Sequence, residues 1–407
     1  MDERRYFGLD ALRGAMMMMG IVLHSSMLYL SDPPPTMPIA TDHNTSIIFD
    51  VVIAFIHSVR MPAFFLLSGF FTSLLVERRG VLGTYKNRAG RVLAPLLLAV
   101  VTVLPITVYF LIECMVSARF GTHAFLPERE QLKIIGQEMA ARGVPDEPSL
   151  MHLWFLYYLL YFYLLIPLCR LLVKWSQRYE YHVRKVLVAP TTLVVFGLYT
   201  ALTLWPFRGG ETYEGFIFLK PYPPALIYYG SFFVLGYVFH FYREILLTFK
   251  RNLHWYALMA LVLFPLSFYA SHMEYSATSQ VTSVHLAAVV LHGLATWALV
   301  YLFMGVALRF FDYESPWILY TSQSSYWVFL FHMIPVGFAS WWMLQFDLPA
   351  VLKFLLVVSF SLVLCLLTYH YGVQRTWVSV LLNGRRFDLK WPWQDTKSSV
   401  TSHATPR

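Results

Sequence analysis

Phe7-Gly8-Leu9-Asp10-Ala11-Leu12-Arg13-Gly14-Ala15-Met16-Met17-Met18-Met19-Gly20-Ile21-Val22-Leu23-His24-Ser25-Ser26-Met27-Leu28-Tyr29-Leu30 decides the fold. An apolar run of about 18 or more residues is long enough for a helix to cross a bilayer, so residues 8–31 read as a first span. Seven residues precede it, with no small-residue cleavage site after it. It is therefore expected to stay in the chain rather than be removed as a signal. Arg13 and His24 do not belong in lipid. Ionisable groups inside a span are costly and by default mark a functional site.

Similar runs recur along the sequence. Ten spans are expected, at about 8–31, 47–76, 92–117, 150–173, 186–205, 223–242, 255–272, 284–308, 315–337 and 349–373. The chain of 407 residues is 57% hydrophobic and 13% charged, and its mean hydropathy is +0.55. Soluble domains are about 25% charged. The expectation is an all-α polytopic membrane protein with no soluble domain: residues 1–383 as the membrane domain, then a polar, disordered tail over 384–407. No internal repeat is visible, which weakens an inverted-repeat transporter.

The net charge of +8 does not call for nucleic acid. With the N-terminus in the cytoplasm, 21 of the 31 lysines and arginines fall in cytoplasmic segments and six on the opposite side. Such a positive-inside bias predicts both termini inside and an even number of spans. Cys114, Cys169 and Cys365 show no metal or redox spacing and read as packing residues; no metal site and no tightly bound cofactor are expected. Asn44-Thr45-Ser46 is an outward sequon of little weight. Asp32-Pro33-Pro34-Pro35 stops the first helix, and the loop 118–149 can form a short helix over the outer mouth.

Arg13 and His24 are eleven positions apart. That is three helical turns plus about 20°, which puts both on one face and roughly 16 Å apart along the axis. They cannot hold the same atom, but they can line one cavity. The plain alternative for Arg13 is an anchor paired with Asp10; for His24 it is a hydrogen bond between helices. In the second span, His57 and Arg60 are three apart and share a face. Arg60 lies too deep to reach the interface easily. It needs a partner, a wet cavity or an anion. Ser68-Gly69 suits close helix packing. The basic loop Glu77–Arg91 either sets topology or attracts a phosphorylated co-substrate. His152-Leu153-Trp154 opens the fourth span, where Trp154 also fits an interfacial belt. Ser322, Ser324, Ser325, Tyr326 and His332 are assigned to the outer half of the ninth span. Lys353 is assigned as a snorkelling residue.

These residues resemble the membrane-bound acyltransferase-3 family. Its first span carries an arginine and a histidine separated by ten residues, the arginine inside a Leu-Asp-x-Leu-Arg-Gly-like start. Here that reads Leu9-Asp10-Ala11-Leu12-Arg13-Gly14, then His24. The family's second-span pattern reads Arg60, Phe64-Phe65 and Ser68-Gly69-Phe70. Within the family the likeness is greatest to members linked to O-succinylation of periplasmic glucans, through residues 55–61, 152–156 and 326–332. The resemblance implies an enzyme of the bacterial inner membrane. It would move a succinyl or acetyl group from cytoplasmic acyl-CoA to a hydroxyl of an extracytoplasmic glucan or other surface carbohydrate, in association with glucan-synthesis machinery. It also implies His24 as general base or transient acyl carrier, and Arg13 and Arg60 as donor-binding residues. Asp10, His57, Ser68, His152, Trp154 and His332 would support them. Two other classes compete. A glycan or lipid exporter also uses buried Arg and His but has no reason to combine these motifs. A non-catalytic scaffold would tolerate replacement of all of them.

Overall fold

The computed structural model describes residues 5–33, 40–121, 126–144, 147–189, 191–210, 219–276 and 281–394. Among these the chain forms α-helices and no β-strand. In order they are α1 (Phe7–Ser26), α2 (Ile47–Arg88), α3 (Ala94–Phe120), α4 (Arg129–Ala141), α5 (Trp154–Leu164), α6 (Ile166–Gln177), α7 (Glu180–Val188), α8 (Thr192–Leu204), α9 (Pro223–Phe241), α10 (Glu244–Arg251), α11 (Leu253–Ser276), α12 (Thr282–Phe310), α13 (Pro316–Phe331), α14 (Met333–Met343), α15 (Ala350–Leu367) and α16 (Trp377–Asn383).

Each of the ten expected runs falls on one helix or a broken pair, but the count of ten is not reached. Among the described residues six stretches are long and apolar enough to cross a membrane, or up to eight if two bent helix pairs each make one crossing. The shortfall has local causes. A π-helical turn over Ala89–Leu93 joins α2 to α3 in one 74-residue stretch. The ninth run breaks at His332 into helices of 16 and 11 residues. The first helical segment already ends at Tyr29, with Leu30 extended, ahead of Pro33; Pro34 and Pro35 lie outside the described residues. The loop after α3 does form a helix, α4. A capping box at Glu128 and Gln131 starts it, and Arg119–Glu138 ties it back to α3 at 2.9 Å.

Long helices expose apolar side chains that a soluble protein would bury. Val101, Leu202 and Leu261 are each 73% exposed. Such continuous apolar surface requires a nonaqueous surround, so the chain is an integral membrane protein. Inside, α2 packs along α9, α11 along α12, α12 along α8 and α1 along α13. Small residues permit the closest approach. A Cβ at Gly69 would collide with the Phe233 carbonyl, and one at Gly236 with the Leu66 carbonyl. Gly69 is therefore a packing residue, as its motif suggests.

Two polar features depart from expectation. Lys353 does not snorkel. It is 2% exposed, and its Nζ donates to both carboxylate oxygens of Asp42, at 3.0 and 2.8 Å. The loop before α2 folds back over α15 and supplies that carboxylate. Residues 384–394, in the stretch expected to be disordered, pack on the bundle. Trp391 stacks on His370 with ring centroids 3.7 Å apart, and the Phe387 amide donates to the Gln374 carbonyl at 3.0 Å. The aromatic content of this stretch outweighs its polarity. Residues 395–407 lie outside the described residues.

Candidate active site

The site is built on a parallel pair. α1 and α13 run side by side in the same direction, with Gly14 facing Thr321 and Arg13 Nη2 donating to Ser322 Oγ at 2.8 Å. About three turns further along both helices, the rings of His24 and His332 lie 5.2 Å apart. The helical arithmetic for Arg13 and His24 therefore holds: they share a face at two levels. It also corrects the placement of Ser322, Ser325 and Tyr326. They lie at the level of Arg13, on the face of the protein that carries the N-terminus, because α13 starts there; only His332 reaches the far level.

Two cavities occupy these levels. The near one measures about 290 Å³, and arginines dominate its polar lining: Arg5, Arg13, Arg88, Arg91 and Arg385. Among the described residues no aspartate or glutamate lines it. Asp10 sits behind the wall, where it takes Arg5 Nε at 2.9 Å and Arg13 Nη2 at 3.0 Å. The plain alternative for Arg13, an Asp10 pair, is thus present, yet the same guanidinium also faces the cavity. Arg88 lies over the Tyr163 ring at 5.2 Å. Arg91 Nη1 donates to the Asn383 carbonyl at 3.1 Å, which draws the chain after α16 into the wall. Ser68 lines this cavity as well. Several guanidinium groups converging on one cavity suit a polyanion such as a phosphate ester. Arg88 and Arg91 belong to the basic segment expected as a loop, which is instead helical: α2 continues through Arg88 and the π-helical turn carries Arg91. Nothing local in the sequence marked Arg5 or Arg385 as site residues.

The far cavity measures about 150 Å³, and its polar lining includes His24, His57, Arg60, His152 and Trp154. Arg60 was expected beside Arg13 at the donor end. Instead it is 7% exposed, donates through Nε to the Met16 carbonyl at 2.8 Å and lies in the histidine cavity. Its place is explained by Gly20: a Cβ there would stand 2.6 Å from Arg60 Nη2 and 3.4 Å from His332 Nε2. The missing side chain makes room for the guanidinium against α1.

The break between α13 and α14 fixes two imidazoles. A helix leaves its last carbonyls without intrahelical donors. His332 Nδ1–H donates to the carbonyls of Val328 and Phe329 at 3.0 and 2.8 Å, and His152 Nε2–H donates to Leu330 at 3.0 Å. Each neutral ring is thereby held in one tautomer. The opposite nitrogens, His332 Nε2 and His152 Nδ1, carry lone pairs and are buried with no hydrogen-bond partner. The two rings are 5.3 Å apart. His24 Nδ1 lies 3.3 Å from the Met27 sulfur. Met151, just before His152, has φ 48°, uncommon for a residue with a side chain, and it lines the far cavity. That strained turn aims His152 and Trp154 inward, and no sequence signal announces it. No cluster of three metal-ligating side chains occurs among the described residues.

Comparison with known proteins bears on this arrangement. The chain is 35% identical over 98 residues to glucans biosynthesis protein C of Escherichia coli strain K12, and equally to that protein from the O1:K1 and O139:H28 strains. The aligned part is 24% of this chain and 24% of each relative. No solved structure matches. Residues 6–370 match the acyltransferase domain, a span that takes in the whole lining of the far cavity and that of the near one except Arg5, Leu382, Asn383, Arg385 and Phe387. The chain belongs to the acyltransferase-3 family and is a membrane acyltransferase.

Proposed function

We propose that this acyltransferase moves a succinyl group, with acetyl as the nearest alternative, from cytoplasmic acyl-CoA to a hydroxyl of an extracytoplasmic glucan. The observation that carries this reading is the division of labour between cavities. An arginine-lined cavity opens at the N-terminal level, and a histidine-lined cavity lies beyond it. The positive-inside charge bias supports placing the N-terminal face in the cytoplasm, in the bacterial inner membrane, where acyl-CoA is available. The partial likeness to glucans biosynthesis protein C supports a glucan acceptor.

In this reading Arg13 binds the phosphates of the coenzyme together with Arg5, Arg88, Arg91 and Arg385. The thioester arm extends toward His24. His24 accepts the proton of the acceptor hydroxyl as its oxygen attacks the thioester carbonyl. Arg60 stabilises the negative charge that develops on the carbonyl oxygen. The carbon–sulfur bond breaks, the thiolate takes the proton from His24, and the products are an ester and free coenzyme A. His332 and His152, locked by carbonyls, hold the His24 ring in place and keep the cavity short of stray donors. His57 and Trp154 line the acceptor side.

The direct experiment is mass spectrometry of extracytoplasmic glucans from cells with and without the gene. A succinyl increment that depends on the gene supports the reading. An acetyl increment moves the donor assignment, and unchanged surface carbohydrates refute both.

A further inference from the structure

The two cavities share one side chain. Phe155 lines both, and no other residue does so among those described. It is 2% exposed and stands in a wall of rings. Its ring meets Phe64 edge-on at 4.5 Å, Phe65 at 5.0 Å and Phe329 at 5.6 Å. Phe329 in turn lies 5.7 Å from His152. One side of the Phe155 ring therefore faces the arginines, and the other faces the histidines. The Phe155 side chain can make no hydrogen bond, so its hold on the wall depends on ring packing. An aromatic ring on two χ angles can swing aside without breaking a hydrogen bond.

We infer that Phe155 is the partition between the anion cavity and the histidine cavity, and that its ring determines which acyl groups pass between them. This rests on the reading that the donor enters through the arginine-lined cavity. The far cavity, at about 150 Å³, is on the scale that holds a single benzene-sized group. With Phe155 in place the accepted donors are short-chain acyl groups. Without the ring the two cavities merge and longer chains fit.

A native reporter is available, because Cys114 lines the far cavity. The full chain carrying Cys169→Ser and Cys365→Ser is placed in sealed vesicles with its N-terminal face outward and a trapped thiol scavenger inside. An impermeant anionic methanethiosulfonate is then added outside. Modification of Cys114 is expected to quicken several-fold with Phe155→Ala, and to stay slow with Phe155→Trp. Purified Phe155→Ala is expected to shift its preference among acyl-CoA donors from acetyl and succinyl toward hexanoyl and octanoyl. Phe155→Trp loses turnover while coenzyme A still binds. Equal modification rates with and without the Phe155→Ala substitution overturn the partition, and an unchanged donor profile in an active variant overturns the selectivity. If Phe155→Ala fails to fold, Phe155→Leu and Phe155→Trp decide the same two questions. A wild-type protein that transfers no acyl group refutes the proposed function, and the labelling still decides the partition.

Discussion

His332 donates Nδ1–H to the carbonyls of Val328 and Phe329 in the last turn of α13, and Val328 takes the His332 backbone amide as well, so the Nε2 lone pair is fixed toward Arg60 and Gly20. A side chain held in this way acts by position, whereas His24 lines the cavity that the acceptor hydroxyl is proposed to enter. The two are therefore separable. His24→Ala is expected to lower kcat by about 10²–10⁴-fold, the usual worth of a general base, with donor KM little changed; steady-state acyl transfer measures it. Undiminished transfer would remove His24 from the chemistry. Arg13→Ala, with Asp10 and Ser322 left in place, is expected to raise donor KM more than it lowers kcat. Arg13→Lys should restore only part of the loss, because an ammonium cannot match the planar guanidinium fork. A KM unchanged by Arg13→Ala would place the donor phosphates elsewhere. Gly20→Ala belongs to the same scale. Its Cβ would press on Arg60 Nη2 at 2.6 Å, so turnover should fall without a matching loss of donor affinity.

At the scale of elements, hydrophobic patterning located the helices, and the first span's motif located α1's two functional levels. Gly69 was legible as a packing residue because small residues in a span have few other uses. Three things were not legible. The parallel register of α1 and α13 is a contact between positions about 300 residues apart, so Ser322 could not be matched to Arg13 from local pattern. Arg60 reads from α2 alone as a partner of Arg13 at the donor end, but position along one helix does not say which cavity a guanidinium enters; Gly20 on another helix makes room for it beside the histidines. Lys353 looked like an interfacial lysine because its partner, Asp42, sits in a loop 311 positions away. That buried pair carries a prediction. Removing one member of a buried ion pair typically costs about 3–5 kcal/mol, so Lys353→Met should lower thermal stability markedly in detergent. Combining it with Asp42→Asn should recover part of the loss, because no charge is then left unpaired. Equal melting temperatures for wild type and Lys353→Met would show that the pair contributes nothing.

At the scale of the whole molecule, the positive-inside bias and the arginine cavity point the same way. Both support the proposal that the N-terminal face meets an anionic donor, and the tail helps to build that face through Arg385 and Phe387. Fluorescent or protease-sensitive tags at both ends are expected to be reached only in inside-out vesicles; a C-terminal tag reached from the opposite side would contradict the even number of crossings. Truncation after residue 383 is expected to raise donor KM, since it removes Arg385 and the stacking of Trp391 on His370. A kinetic profile unchanged by that truncation would remove the tail from the donor site. The central claim is that the two cavities together form one acyl-transfer path. Its most direct test is transfer by purified protein from labelled succinyl-CoA to a glucan acceptor, read as ester-linked label on the glucan. The account predicts labelled ester from wild type and almost none from His24→Ala; no labelled ester from wild type with either succinyl or acetyl donors would contradict it.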